Sequence, residues 1–281
     1  MKFIAFLNNY TGFLVVNDLL LFRKTGFVKN RYFIRLSFLG TSYHGWQIQK
    51  NAISVQSILD ETLSVILKEK IASTGAGRTD SGVHAREFYA HFDTKQTLDE
   101  DKRKNLIIHM NGYLPDDIGI HRIFPVKPDS HARFSAVSRT YQYIISQVKD
   151  PFMLGFSYYY TVPLNIKKML QGAVIIKACK DFTSFAKLPA ETKTNICHIT
   201  DISWKKRGDM LLFTITADRF LRNMVRAIVG TLIDLGRGRI DFHELNEIIE
   251  SRNRSSAGAS VPACGLYLTS ILYPETVFNK Q

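Results

Sequence analysis

The 281-residue chain has only three cysteines, at 179, 197 and 264. They form no Cys-x-x-Cys pair and leave one over after any pairing, which excludes a zinc ribbon and a disulfide framework and suits a reducing, cytoplasmic setting. Its eight histidines show no His-Glu-x-x-His or related spacing, so no protein-bound metal is predicted. Long apolar runs are missing too: Phe13-Leu14-Val15-Val16 and Leu19-Leu20-Leu21-Phe22 are parted by Asn17-Asp18, well short of a membrane span. No apolar core followed by a small-residue cleavage site marks a secretory signal. There is no sustained heptad pattern and no sequence repeat of fixed period.

What is abundant is positive charge. With 37 Lys and Arg against 25 Asp and Glu the formal net charge is +12, and the isoelectric point is near 9.6. This is the electrostatic footprint of a nucleic-acid binder, although an anionic membrane surface or an acidic partner would suit it as well. Hydrophobic residues at 45% and charged ones at 22% describe an ordinary soluble globular protein, long enough for one large or two small domains.

The most informative stretch is Ala76-Gly77-Arg78-Thr79-Asp80-Ser81-Gly82-Val83-His84-Ala85, where two glycines frame Arg78, Thr79 and Asp80 between a helical and an alternating pattern. Glycines permit a tight bend or a close approach to a ligand. They would hold Asp80 out on a constrained loop, with the Arg78 guanidinium two residues earlier to aim it and keep it ionised, which makes it a candidate nucleophile. Two phosphate-binding motifs are excluded: Gly77-x4-Gly82 is followed by Val83-His84 instead of Lys-Ser/Thr, and Gly75-x-Gly77 lacks the third glycine of a dinucleotide fingerprint. An isolated Asp before Ser-Gly ordinarily just closes a turn through its own backbone.

Around this loop the chain alternates strands and helices. Residues 1–30 read as an extension. Tyr32, Ile34, Leu36 and Phe38 alternate as a strand, running into a loop whose Tyr43, Trp46 and Gln47 suit either RNA contact or a core cap. Ser54 opens a helix with an apolar stripe from Val55 to Leu67; Phe88, Ala90 and Phe92 mark the strand after the Asp80 loop; Leu98–Met110 reads as a second helix, followed by a strand through Ile123. After Pro125–Pro128 comes Ser130-His131-Ala132-Arg133-Phe134-Ser135-Ala136, a basic-aromatic cluster able to touch phosphate and stack a base, or to serve as a hinge. A strand over 139–148 carries Tyr141 and Tyr143. Further on lie a helix over 166–179, an exposed basic loop around Lys193, and a hairpin turning at Arg207-Gly208-Asp209. A helix over 220–230 would set Arg222 and Arg226 one turn apart, on a solvated face or in a cleft where they grip phosphate or orient Asp80. The helix over 242–250 and a closing strand after Val261-Pro262-Ala263-Cys264-Gly265-Leu266 complete the chain.

The decapeptide resembles the catalytic loop of the tRNA pseudouridine synthases of the TruA family, Gly-Arg-Thr-Asp-x-Gly-Val-His, with Ser81 at the variable position where the family more often has Ala. Tyr43-x-Gly45-Trp46-Gln47, the Leu114-Pro115 turn, His131-Ala132-Arg133-Phe134-Ser135-Ala136, Asp181-Phe182-Thr183-Ser184-Phe185, the run from Phe220 to Gly230 and Pro262-x-x-Gly265-Leu266 resemble the family in the same order, over about residues 31–273. The resemblance implies an α+β pseudouridine synthase fold: two ferredoxin-like (RRM-like) halves, here 31–128 and 129–281, around a basic catalytic cleft. It implies isomerisation of uridine to pseudouridine in the anticodon stem-loop of tRNA, without a cofactor, by a homodimer. It makes Asp80 the nucleophile, and either Arg78, counted here with the catalytic residues, or Arg226 should hold its carboxylate ionised. It further implies that Tyr141 packs against the target uridine, Leu266 walls the pocket, Arg226 lies in the cleft, and His131, Arg133 and Phe134 contact tRNA. A silent RNA-binding module would have no need of the Arg-Thr-Asp loop and shows no RNP1-like aromatic run. A glycosidase-like hydrolase would need a second carboxylate as proton donor, for which Asp93 is the acid considered.

Overall fold

The computed structural model describes residues 30–187 and 194–278. The expected extension, apart from Asn30, and the basic loop around Lys193 lie outside the described residues. Strand β1 (Asn30–Phe38) buries Tyr32, Ile34, Leu36 and Phe38 on one face, as its alternation requires. Helix α1 (Val55–Leu67) begins at the Ser54 capping box, closed by Ser57, and ends where Lys68 turns left-handed; Val55, Leu59, Leu63 and Leu67 form its buried stripe. A two-residue strand β2 (Thr74–Gly75) precedes β3 (His84–Thr94). Helix α2 (Glu100–Tyr113), capped by Asp99, starts two residues later than its apolar pattern suggests, because the Asp99 carboxylate accepts from the Lys102 N–H and sets the first turn there. Strand β4 (Ile118–Pro125) follows.

The second run is β5 (Ser138–Ser146), a two-residue β6 (Tyr158–Tyr159), α3 (Ile166–Ala178), β7 (Ile199–Arg207), β8 (Met210–Ala217), α4 (Met224–Gly236), α5 (Phe242–Ser251) and β9 (Leu266–Leu272). Among the described residues, all nine strands join one mixed sheet in the order β4-β1-β3-β9-β5-β8-β7, with β2 beside β3 and β6 beside β5. Two apolar cores lie against it. One packs α1 and α2 with β1, β3 and β4, the other α3, α4 and α5 with β5, β7 and β8, and Tyr141 touches both.

The seam between the runs is a short parallel pairing, His84 with Tyr267 and Ala85 with Leu268. On the other edge of β9, Leu268 pairs with Tyr141 of β5. Ala85, Leu268 and Tyr141 therefore form one row across three strands, spanning roughly 10 Å at the usual interstrand spacing. That register brings the Asp80 loop, which leads directly into β3, alongside Tyr141.

The first run is also sensitive to acid. His91 is buried, its Nδ1 accepts the Ala132 N–H at 3.1 Å, and the His131 ring centroid lies 4.6 Å away. Burial, then the Arg31 guanidinium and His131, pull its pKa from 6.5 to about 4, with Asp93 opposing. Unfolded His91 takes up its proton near pH 6.5 and folded His91 resists until about pH 4. The unfolded state thus binds more protons in that window, and this site costs about 3 kcal/mol of stability as pH falls through it. Urea denaturation between pH 7 and pH 4 is expected to show this slope in the wild type and to lose most of it in His91→Asn.

Candidate active site

Asp80 sits in the connection between β2 and β3, and its side chain keeps 25% of its surface exposed. It is neither sealed in a core nor free in solvent. The loop's shape comes from backbone bonds that do not involve the carboxylate. Val83 N–H donates to Asp80 O at 3.2 Å, while Gly82 N–H (3.3 Å) and the Ser81 hydroxyl (3.2 Å) both donate to Tyr43 O. Gly82 is left-handed, φ +79°, as a glycine at a tight turn should be, whereas Gly77 has open space around it. The two framing glycines are therefore not equivalent.

The Asp80 loop rests on the 40–47 loop. Gly45 has φ +82°, and a Cβ there would come 2.1 Å from Thr79 O, a backbone atom with no rotamer to escape into. Gly45→Ala is expected to destabilise the protein by about 2–4 kcal/mol and to slow turnover by displacing the Asp80 loop, with Gly77→Ala as a near-neutral control; thermal melts and a turnover assay check both. Tyr43 and Trp46, for which RNA contact and core were both open, belong to the core. The Tyr43 hydroxyl donates to Asp117 at 2.5 Å, and Trp46, 2% exposed, stacks on Phe88 at 4.2 Å.

Arg226, in the first turn of α4, reaches Asp80: its Nη1 lies 3.3 Å from Asp80 Oδ2 while its Nε donates to Val261 O at 2.7 Å. Arg78 is exposed and its Nε donates to the Gln47 side-chain oxygen. Arg222 does not lie one helical turn from Arg226. The predicted helix over 220–230 instead begins at Met224, because Asn223 is left-handed at φ 65° and its side-chain amide is held by Ser260. Arg222 is consequently exposed on the approach to α4.

Tyr141 is half-buried and meets Phe220 edge-on at 5.0 Å. Burial pushes its hydroxyl up to about 12; the Arg139 charge opposes this and the Asp80 charge adds to it. Leu266, 5% exposed, lies in the second core at the start of β9, opposite Tyr143. The His131 to Ala136 turn is a separate feature. His131 Nδ1 accepts the Arg133 and Phe134 N–H groups, Phe134 is 76% exposed, and the Arg133 guanidinium lies 5.5 Å from its ring centroid. Burial, Arg31 and Arg133 hold the His131 pKa down, so the ring stays a neutral acceptor.

Two residues not singled out from the sequence organise these pieces. His84 is buried; its Nδ1 accepts the Gly40 N–H at 3.0 Å, which leaves Nε2–H to donate between Gly155 O (3.1 Å) and Cys264 O (3.2 Å). Burial lowers its pKa, consistent with that neutral tautomer. His84 was visible in the Asp80 motif, but nothing local told its partners. The other is Arg139, bonded to four backbone carbonyls. A separate open concavity of about 470 Å³, lined among others by Phe38, His84, Arg86, Phe156 and Tyr267, does not include Asp80, Tyr141 or Arg226. Among the described residues no group of three His, Cys, Asp or Glu side chains is placed to hold a metal ion, and no helix is long and apolar enough to cross a membrane.

A partly exposed carboxylate paired with an equally half-buried arginine, on a chain of net charge +12 that also exposes Arg78, Arg133, Lys187 and Arg222, suits a nucleic-acid-modifying enzyme. Known proteins narrow this. Residues 179–274 match the family described as tRNA pseudouridine synthase. A tRNA pseudouridine synthase A from Bacteroides fragilis is 47% identical over 251 residues, 89% of this chain and 98% of that protein. One from Porphyromonas gingivalis is 46% identical over 250 residues, 88% and 99%, and one from Thermoanaerobacter pseudethanolicus 38% over 242 residues, 85% and 98%. The chain belongs to the tRNA pseudouridine synthase A family. A solved aminoacylhistidine dipeptidase from Vibrio alginolyticus aligns with 84% of this chain and 41% of its own at 12% identity and a TM-score of 0.22.

Proposed function

We propose that the protein isomerises uridine to pseudouridine in the anticodon stem-loop of tRNA, with Asp80 as the nucleophile. The observation that supports this most is the Asp80 to Arg226 pair at 3.3 Å, in which a cation from α4 holds a solvent-reachable carboxylate on the loop that the sheet register carries toward Tyr141. The reaction breaks the N1–C1′ bond and forms C5–C1′ with no net change of oxidation state, so it calls for no redox carrier. In the route we favour, a carboxylate oxygen attacks C1′ and the N1–C1′ electron pair leaves on the uracil. The base turns, C5 displaces the carboxylate, C5 gives up its proton and N1 gains one. The uridine must leave its stack to reach Asp80. Tyr141, Phe220 and Leu266 would enclose it, Arg78 would act beside Asp80, and His131, Arg133 and Phe134 would receive the RNA backbone and a base.

The strand orders support the finer architecture, two ferredoxin-like halves meeting near residue 128. Counted within each run, β4-β1-β3 with β2 outside, and β9-β5-β8-β7, follow the same scheme. A homodimer is proposed on family grounds alone. Incubation with unmodified tRNA decides the activity: pseudouridine is the expected product, whereas free uracil would mean a hydrolase, and bound but unchanged RNA a silent binding protein.

A further inference from the structure

We infer that Arg139 is a positioning residue that couples the tRNA-contacting turn at 131–136 to the catalytic loop, an inference that rests on the assignment of Asp80 above. Its guanidinium stands at the start of β5, two residues before Tyr141. Nη1 donates to Asp218 O at 2.7 Å and to Ala136 O at 3.1 Å; Nη2 donates to Ala76 O at 3.2 Å and to Arg133 O. The two terminal nitrogens carry four N–H groups, and four carbonyls receive them.

Those carbonyls come from three segments, two of which run off sheet strands while the 131–136 turn stands outside them. Ala76 opens the Asp80 loop. Arg133 and Ala136 belong to the turn that presents Phe134. Asp218 follows β8 and leads through Phe220 to the helix bearing Arg226. Asp218 gives Arg139 its main-chain carbonyl, while its carboxylate Oδ1 accepts from the His198 and Arg219 N–H groups. Burial accordingly pulls the Arg139 pKa down, as expected of a cation held chiefly by neutral carbonyls. One planar fork thus sets Asp80, the turn and the approach to α4 in register, and pressure on the turn from bound RNA is transmitted to Ala76. Lysine keeps the charge but directs three N–H groups from a single point and cannot span these segments. A catalytic group displaced by about 1 Å loses on the order of 100-fold in rate.

The test compares wild type, Arg139→Lys and Asp80→Asn on unmodified tRNA, by single-turnover rate, equilibrium tRNA affinity and amide hydrogen exchange. Arg139→Lys is expected to lose about 100-fold in single-turnover rate with affinity within about 3-fold. Its exchange should quicken over 76–82 and 131–136 while α3 and α4 stay protected. A rate within about 3-fold of wild type overturns the inference. So does a parallel loss of affinity, and so does faster exchange throughout the chain, which would make Arg139 a prop of the fold. If Asp80→Asn keeps the wild-type rate, the assignment of Asp80 falls and this inference with it; if Asp80→Asn is dead and Arg139→Lys fully active, only this inference falls.

Discussion

Replacing Asp80 with Asn is expected to lower pseudouridine formation by about four orders of magnitude while tRNA affinity stays within a few fold. The amide matches the carboxylate in shape but lacks its charge and nucleophilicity, so every step that needs an anionic oxygen at the sugar fails. The loop itself should survive. Its bonds to Tyr43 O come from Gly82 N–H and the Ser81 hydroxyl, and its turn is closed by Val83 N–H on Asp80 O, none of which uses the side chain. The amide oxygen can still accept from Arg226 Nη1, which limits the stability cost. Removing a negative charge from a basic surface also gives no reason for RNA to bind more weakly. Single-turnover assays beside equilibrium binding check both halves, and a variant within about 10-fold of wild type would move the chemistry to another residue.

Local pattern told much of the fold and little of its assembly. The α1 stripe and the alternation in β1 were legible because each side chain's burial follows from its own spacing. β2 and β6, two residues each, are too short to carry a period. The start of α4 was misplaced by four residues because Phe220, Leu221 and Arg222 are all compatible with a helix, and only the left-handed Asn223 shows that the chain has not yet begun to coil. Nothing local announces that β9, the last strand, inserts between β3 and β5.

The site divides in the same way. The Asp80 loop stood out in sequence, whereas the choice between Arg78 and Arg226 as its cation did not. Arg78 is two residues away and Arg226 is 146 residues away, yet the Arg226 guanidinium lies 3.3 Å from the carboxylate and the Arg78 Nε is turned to Gln47. Sequence proximity is a poor guide when a turn points neighbouring side chains in different directions. Tyr43 and Trp46 went to the core because Asp117 and Phe88 receive them, partners that only tertiary packing supplies. His84 and Arg139 act mostly on main-chain atoms, which every residue possesses, so no residue pattern could have named their partners.

Arg226→Ala is expected to reduce kcat by about 10² to 10³-fold, with Arg226→Lys falling between it and wild type. The alanine variant removes both the cation 3.3 Å from Asp80 and the donor to Val261 O, so the carboxylate loses its aim and the loop leading to Leu266 loses an anchor. Lysine restores a positive charge but cannot make two bonds from separate nitrogens, which is why rescue should be partial. If Arg226 instead gripped a tRNA phosphate, the signature would be different. Binding would weaken for every tRNA, and the slope of log affinity against log salt would shrink by about one. A guanidinium already shared between Asp80 and a main-chain carbonyl is poorly placed for that, so the salt slope of Arg226→Ala should match wild type while kcat collapses. Salt titrations of tRNA binding, run beside turnover, separate the two roles.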